Sequence, residues 1–178
     1  MKLNRWSLIP ICSALTAAGA FIRIPIAPVP ITLQTFFVIL SGLLLGPKAG
    51  ALSQVIYIIV GLIGLPVFSG GGGISYVMKP SFGYLLGFIC ASAVAGYVMK
   101  NRPVSAFTVF SASLLGMLAI YAVGAPYLAA YLFAVVQKSD AIGIAVKTGV
   151  LVFLPTDLIK CAVLAYVVPR LRLFSPRG

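Results

Sequence analysis

Residues 104–135 read VSAFTVFSASLLGMLAIYAVGAPYLAAYLFAV, an apolar run without one charged side chain. Roughly 20 such residues suffice for a helix to cross the hydrocarbon core of a bilayer, so this stretch predicts a transmembrane helix with residues to spare. Gly124-Ala125-Pro126 is expected to kink it or to end the span, leaving Tyr127 to Val136 as a continuation. Outward from this stretch, Gly, Pro and basic residues punctuate further apolar runs near 6–22, 32–46, 49–66, 81–99 and 142–169. Hydrophobic residues make up 61% of the 178-residue chain and charged residues 8%; mean hydropathy is +1.13. A water-soluble surface cannot be assembled from that composition. The expected fold is therefore all-α: a polytopic integral membrane protein, one domain over residues 1–178, with a bundle of six transmembrane helices.

Thirteen Lys and Arg face two Asp, no Glu and no His. The bases are scattered between apolar runs, which speaks for topology signals and against a nucleic-acid partner. Lys2, Arg5, Lys48, Lys100, Arg102, Arg170, Arg172 and Arg177 fall on one side of the expected spans, and Arg23, Lys79, Lys138 and Lys147 on the other. The positive-inside rule then puts both termini in the cytoplasm. Cys12, Cys90 and Cys161 have no metal-ligand spacing and read as small core residues.

Two connections on the outer side are unusual. Pro25, Pro28 and Pro30 make Arg23 to Thr32 extended, with carbonyls that need partners. Ser69 to Pro80 contains Gly70 to Gly73, where backbone can approach a small molecule closely.

Asp157 and Lys160 lie inside the sixth apolar run, in Leu154-Pro155-Thr156-Asp157-Leu158-Ile159-Lys160. An ionisable residue at the bilayer centre costs about 2.5–3.5 kcal/mol on insertion scales, so it faces the bundle interior and marks a functional site. The spacing of three places both on one helical face. A structural ion pair is the bland alternative; against it, apolar packing replaces such pairs readily. A carboxylate beside an ammonium offers an acceptor and a donor suited to an amide-like or ureido group. Gln34, Gln54, Tyr57, Tyr76, Tyr84 and Tyr121 are further polar candidates for an inner cavity. On the first helix, Ala14 and Ala18 form a small-xxx-small pair that permits close approach by another helix.

The chain has no His, no Glu and no phosphate-binding glycine loop, which excludes a His-ligated metal enzyme, a Ser/His protease and a P-loop ATPase. No catalytic residue, metal ligand or cofactor is expected. Asp157 stands nearly alone as an intramembrane acid, so a proton relay of its own would be incomplete and energy for transport would come from another chain. The alternative is a small proton-coupled secondary transporter that uses Asp157.

Several stretches together resemble one family: Ile24 to Thr35, Gly42 to Ala51, Gly64 to Phe68, Gly70 to Gly73, Gly83 to Phe88 and Pro155 to Lys160. Over essentially its whole length the chain is similar to the BioY family, the biotin-specific substrate-binding (S) components of energy-coupling-factor transporters. The resemblance implies a six-helix subunit in the cell membrane that binds biotin from outside. Its partners would be a membrane coupling subunit and two cytoplasmic ATPases, which would use the ATP. Asp157 and Lys160 would address the ureido ring, Ala14 and Ala18 would dock the coupling subunit, and the proline-rich and glycine-rich loops would cover the vitamin. Gln34, Gln54, Tyr76, Tyr84 and the backbone of Gly71, Gly72 and Gly73 complete the expected site. For the carboxylate tail, Arg23, Lys79 and the glycine N–H groups are equal candidates. The sequence departs from the family pattern at Ile74 to Phe82.

Overall fold

The structure, a computed structural model, describes residues 5–171; Lys2, Arg172 and Arg177 of the charge count lie outside the described residues. After a 3₁₀ turn at Arg5–Leu8, the helices are α1 (Ile9–Phe21), α2 (Gln34–Leu45), α3 (Pro47–Leu62), α4 (Phe82–Met99), α5 (Ala106–Ala134), α6 (Ala141–Val146) and α7 (Leu154–Val167). A π-helical turn at Lys147–Leu151 joins α6 to α7, so Ala141–Arg170 forms one interrupted rod and the bundle has six. The all-α membrane fold is as expected. Among the described residues one sheet forms, the two-residue antiparallel pair Arg23–Ile24 against Ile31–Thr32, which closes the proline segment into a hairpin.

Among the described residues, three helices, Phe82–Met99, Ala106–Ala134 and Ala141–Arg170, are long and apolar enough to cross a membrane. Ser105 starts α5 as an N-cap, its Oγ accepting from Thr108 N–H at 3.1 Å. Pro126 lies inside this helix, which continues through Gly124-Ala125-Pro126 to Ala134. Its 29 residues span about 43 Å at 1.5 Å per residue, well beyond a bilayer core of about 30 Å.

The 12 residues of α2 reach only about 18 Å, short of a bilayer core of about 30 Å, and the proline hairpin precedes it. Gly46, at φ +83°, turns α2 directly into α3, and Pro47 opens α3 with a φ already suited to a helix. The interruption in the sixth rod arises at Pro155, in the first turn of α7, which has no N–H to return to the preceding turn. A carbonyl in that irregular turn, Gly149 O, accepts from Tyr84 OH at 2.8 Å.

Small residues bring α2, α3 and α4 together. A methyl at Gly42 would lie 2.2 Å from the Ser92 carbonyl oxygen. Ser41 and Ser92 share a hydrogen bond of 2.9 Å, and Ser13 on α1 donates to Ser53 O on α3 at 2.6 Å. Gly42→Ala is expected to lower stability by about 1–3 kcal/mol through overpacking. Thermal unfolding in detergent should show it beside an unchanged Leu118→Ala, since Leu118 is exposed on the outer surface of the bundle. Cys12 and Cys161 are buried as expected of small core residues, whereas Cys90 is exposed, on the outward side of α4.

Candidate functional site

A cavity opens between α2, α4, α5, α7 and the connections that precede α2 and α4. Val29, Leu85, Phe88, Ile120 and Phe153 provide apolar wall, and Tyr84 stacks on Phe153 with ring centroids 6.1 Å apart.

Asp157 and Lys160 line it, only 3% and 8% exposed. Asp157 sits in the first turn of α7, where the helix dipole favours a carboxylate. Lys160 Nζ donates to Asp157 Oδ1 at 2.8 Å, to Thr35 Oγ1 at 2.9 Å and to Thr32 O at 2.7 Å. An ammonium has three donors, so all three are committed within the protein. Thr35 Oγ1 donates to Asp157 Oδ1 at 3.3 Å, and Tyr121 OH donates to Asp157 Oδ2 at 2.5 Å. Oδ2 therefore keeps one acceptor position, on a residue that lines the cavity. Gln34, 3% exposed, gives one amide N–H to Tyr57 OH at 2.5 Å and retains the other. Tyr57 OH in turn donates to Val67 O at 3.1 Å, tying α2 and α3 to the glycine-rich connection. An acceptor on Asp157 and a donor on Gln34 in one cavity suit a group that carries both N–H and C=O.

A model of the BioY family matches residues 1–177. The chain belongs to the BioY family. It is 41% identical over 173 residues to the probable biotin transporter BioY of Pyrococcus horikoshii, covering 97% of this chain and 98% of that one. The biotin transporter BioY of Thermotoga maritima is 38% identical across 91% of this chain and 92% of its own. The probable biotin transporter BioY of Lysinibacillus sphaericus is 50% identical over 123 residues, 68% of this chain and 62% of that protein. Among solved structures, the S-component for biotin from an ECF-type ABC transporter superposes with a TM-score of 0.80 at 28% identity, over 98% of this chain and 93% of that one.

In this BioY-family chain the residues singled out from sequence separate into two groups. Asp157, Lys160, Gln34, Tyr76, Tyr84 and Tyr121 line the cavity together. Gln54, Tyr57, Arg23, Lys79 and Gly71 to Gly73 do not line it. Gln54 is fully buried between α2 and α3, donating to Ser41 Oγ at 3.0 Å and Ser53 Oγ at 2.9 Å, the arrangement of interhelical glue. Arg23 is exposed in the two-residue strand. Lys79 is exposed too, its Nζ donating to Gly70 O at 2.7 Å. Gly71 N–H donates to Phe68 O within the loop and Gly73 N–H to Gly61 O at the end of α3, so those amides are engaged, while Gly72 packs against the Leu65 carbonyl. Thr32, Thr35, Ser69 and Ser81 also line the cavity. Their hydroxyls lack any periodic signal; position next to the prolines or the glycine run is the clue available in sequence.

Proposed function

We propose that this chain is the biotin-capturing S component of an energy-coupling-factor transporter in the cell membrane. It takes the vitamin from the outer face, and a coupling subunit with two ATPases drives its release inward. The observation that carries the reading is the Asp157–Lys160–Thr35–Tyr121 constellation at the wall of a largely apolar cavity, in a chain of the BioY family. Asp157 Oδ2 accepts a ureido N–H, Gln34 donates toward the ureido carbonyl, and Lys160 acts as a positioning residue that holds Asp157, Thr35 and the base of the proline hairpin. Val29 and Pro30 of the proline hairpin line the same cavity. The chain is a transport subunit and not an enzyme.

Proton-coupled transport fits less well. Protonating Asp157 would leave the Lys160 ammonium, 2.8 Å away, buried beside a neutral acid. The other acid, Asp140, caps α6 by accepting from Gly143 N–H at 3.2 Å.

Calorimetric titration of the ligand-free, folded protein tests the reading. Biotin is expected to bind with one-to-one stoichiometry, and the ring-opened diamine, which lacks the ureido carbonyl, is expected to bind at least about 100-fold more weakly. Folded protein that ignores biotin would sink it, as would substrate accumulation in proteoliposomes driven by a pH gradient without any ATPase.

A further inference from the structure

The polar constellation leans on the first turn of α2 and the residue pair just before it. Lys160 Nζ ends on Thr32 O and Thr35 Oγ1, and Thr35 Oγ1 donates to Asp157 Oδ1. Gln34, which retains one amide N–H, opens the same turn. Its other N–H reaches Tyr57 OH on α3 at 2.5 Å. α7 and α3 thus hold this turn from two sides, and the third support comes from α1.

Gly19 lies in the last turn of α1, on its buried face. Leu33 N–H, immediately before α2, donates to Gly19 O at 3.2 Å and to Ile22 O at 3.0 Å. The last carbonyls of one helix and the first amides of the next lack intrahelical partners, so the two helix ends satisfy each other. The backbones approach so closely that position 19 has no room for a side chain. A methyl there would lie 2.9 Å from Phe37 Cδ2, 3.0 Å from Gln34 N and 3.1 Å from Gln34 Cα. The Phe37 ring can swing aside, but the other two contacts are backbone. Any side chain at position 19 therefore displaces the turn that carries Gln34 by a few tenths of an ångström. In a turn tied to α3 and α7 as well, that displacement is taken up in hydrogen-bond geometry, to which bond strength is sensitive.

Resting on the biotin reading above, we infer that Gly19 is a positioning residue for the ligand site. Gly19 does not line the cavity. By carrying no side chain it lets α1 seat the first turn of α2 where Gln34 and Thr35 meet the ligand and its acid. The contact makes α1 a structural part of recognition, although every group that faces the ligand belongs to other elements.

The experiment compares affinity for biotin with affinity for its ring-opened diamine, which lacks the ureido carbonyl and so has no use for the Gln34 donor. The unaltered protein is expected to prefer biotin at least about 100-fold. In Gly19→Ala the affinity for biotin falls about tenfold while that for the diamine stays within about twofold, so the preference drops to about 10. Gly42→Ala is the control for loosened packing. Gly42 is also a close-packed glycine of α2, against the Ser92 carbonyl, but it does not line the cavity and lies about two turns beyond Gln34. Its variant is expected to lose stability and keep the preference. If Gly19→Ala does not fold, G19A/F37L, which relieves the ring and leaves the contact with the Gln34 backbone, is expected to show the same drop. An unchanged preference in the folded position-19 variant overturns the inference, as does an equal drop in folded Gly42→Ala. Failure of the unaltered protein to bind biotin would instead overturn the reading on which the inference rests.

Discussion

Asp157→Asn is expected to weaken biotin binding on the order of 100-fold, the loss of a hydrogen bond to a buried charged acceptor together with disorder among its neighbours. The carboxylate is the point on which Lys160, Thr35 and Tyr121 converge. An amide in its place presents an NH₂ to at least one of these donors, and the Lys160 ammonium loses its counter-charge. Removing one partner of a buried pair costs about 3–5 kcal/mol, so thermal stability in detergent should fall as well. The two effects separate in D157N/K160M. Taking away the stranded ammonium should restore much of the stability, whereas affinity stays low because the acceptor is still missing. Calorimetry and thermal unfolding on the single and double variants check both. Recovery of affinity in the double variant would show that Asp157 matters for the fold alone.

Ala14→Leu and Ala18→Leu are expected to abolish co-purification with the coupling subunit and ATPases while leaving biotin affinity unchanged. Ile9, Cys12, Ser13, Thr16, Gly19 and Ala20 are the buried face of α1. The opposite face carries Ile11, Ala14, Leu15, Ala18 and Ile22, all exposed, at helical spacing. The two alanines make a shallow groove between larger apolar side chains, and a leucine in either position fills it and holds a partner helix away. The cavity lies among α2, α4, α5 and α7, and no residue of α1 lines it, so the substitutions should not reach the ligand. Loss of biotin binding in either variant would point to misfolding and withdraw the docking assignment.

Much of this was readable from residue order. Six apolar runs foretold six helical rods within a few residues, because the need to satisfy backbone groups in lipid is met locally by each helix. Asp157 and Lys160 were paired by the period of one helix, and Ala14 and Ala18 by the same arithmetic. The π-helical interruption before Asp157 was not foreseen, although Gly149 and Pro155 mark where it falls. Arg23 and Lys79 drew attention through their charge and Gly71 to Gly73 through missing side chains, yet none of them lines the cavity.

The amino-acid sequence by itself therefore determined the membrane class, the number of rods, the placing of Asp157 and Lys160 on one helical face and the spacing of Ala14 and Ala18; only the structure showed that the two alanines are exposed. Only the tertiary structure decided what surrounds the pair. Lys160 reaches Thr32 O across 128 positions, Thr35 lies 122 positions from Asp157 and Tyr121 lies 36 away. The tertiary structure also decided that Gln54 serves helix packing, and that Ser69, Tyr76 and Ser81 meet at the cavity wall. Contacts at such separations depend on how helices pack. No local pattern encodes those distances.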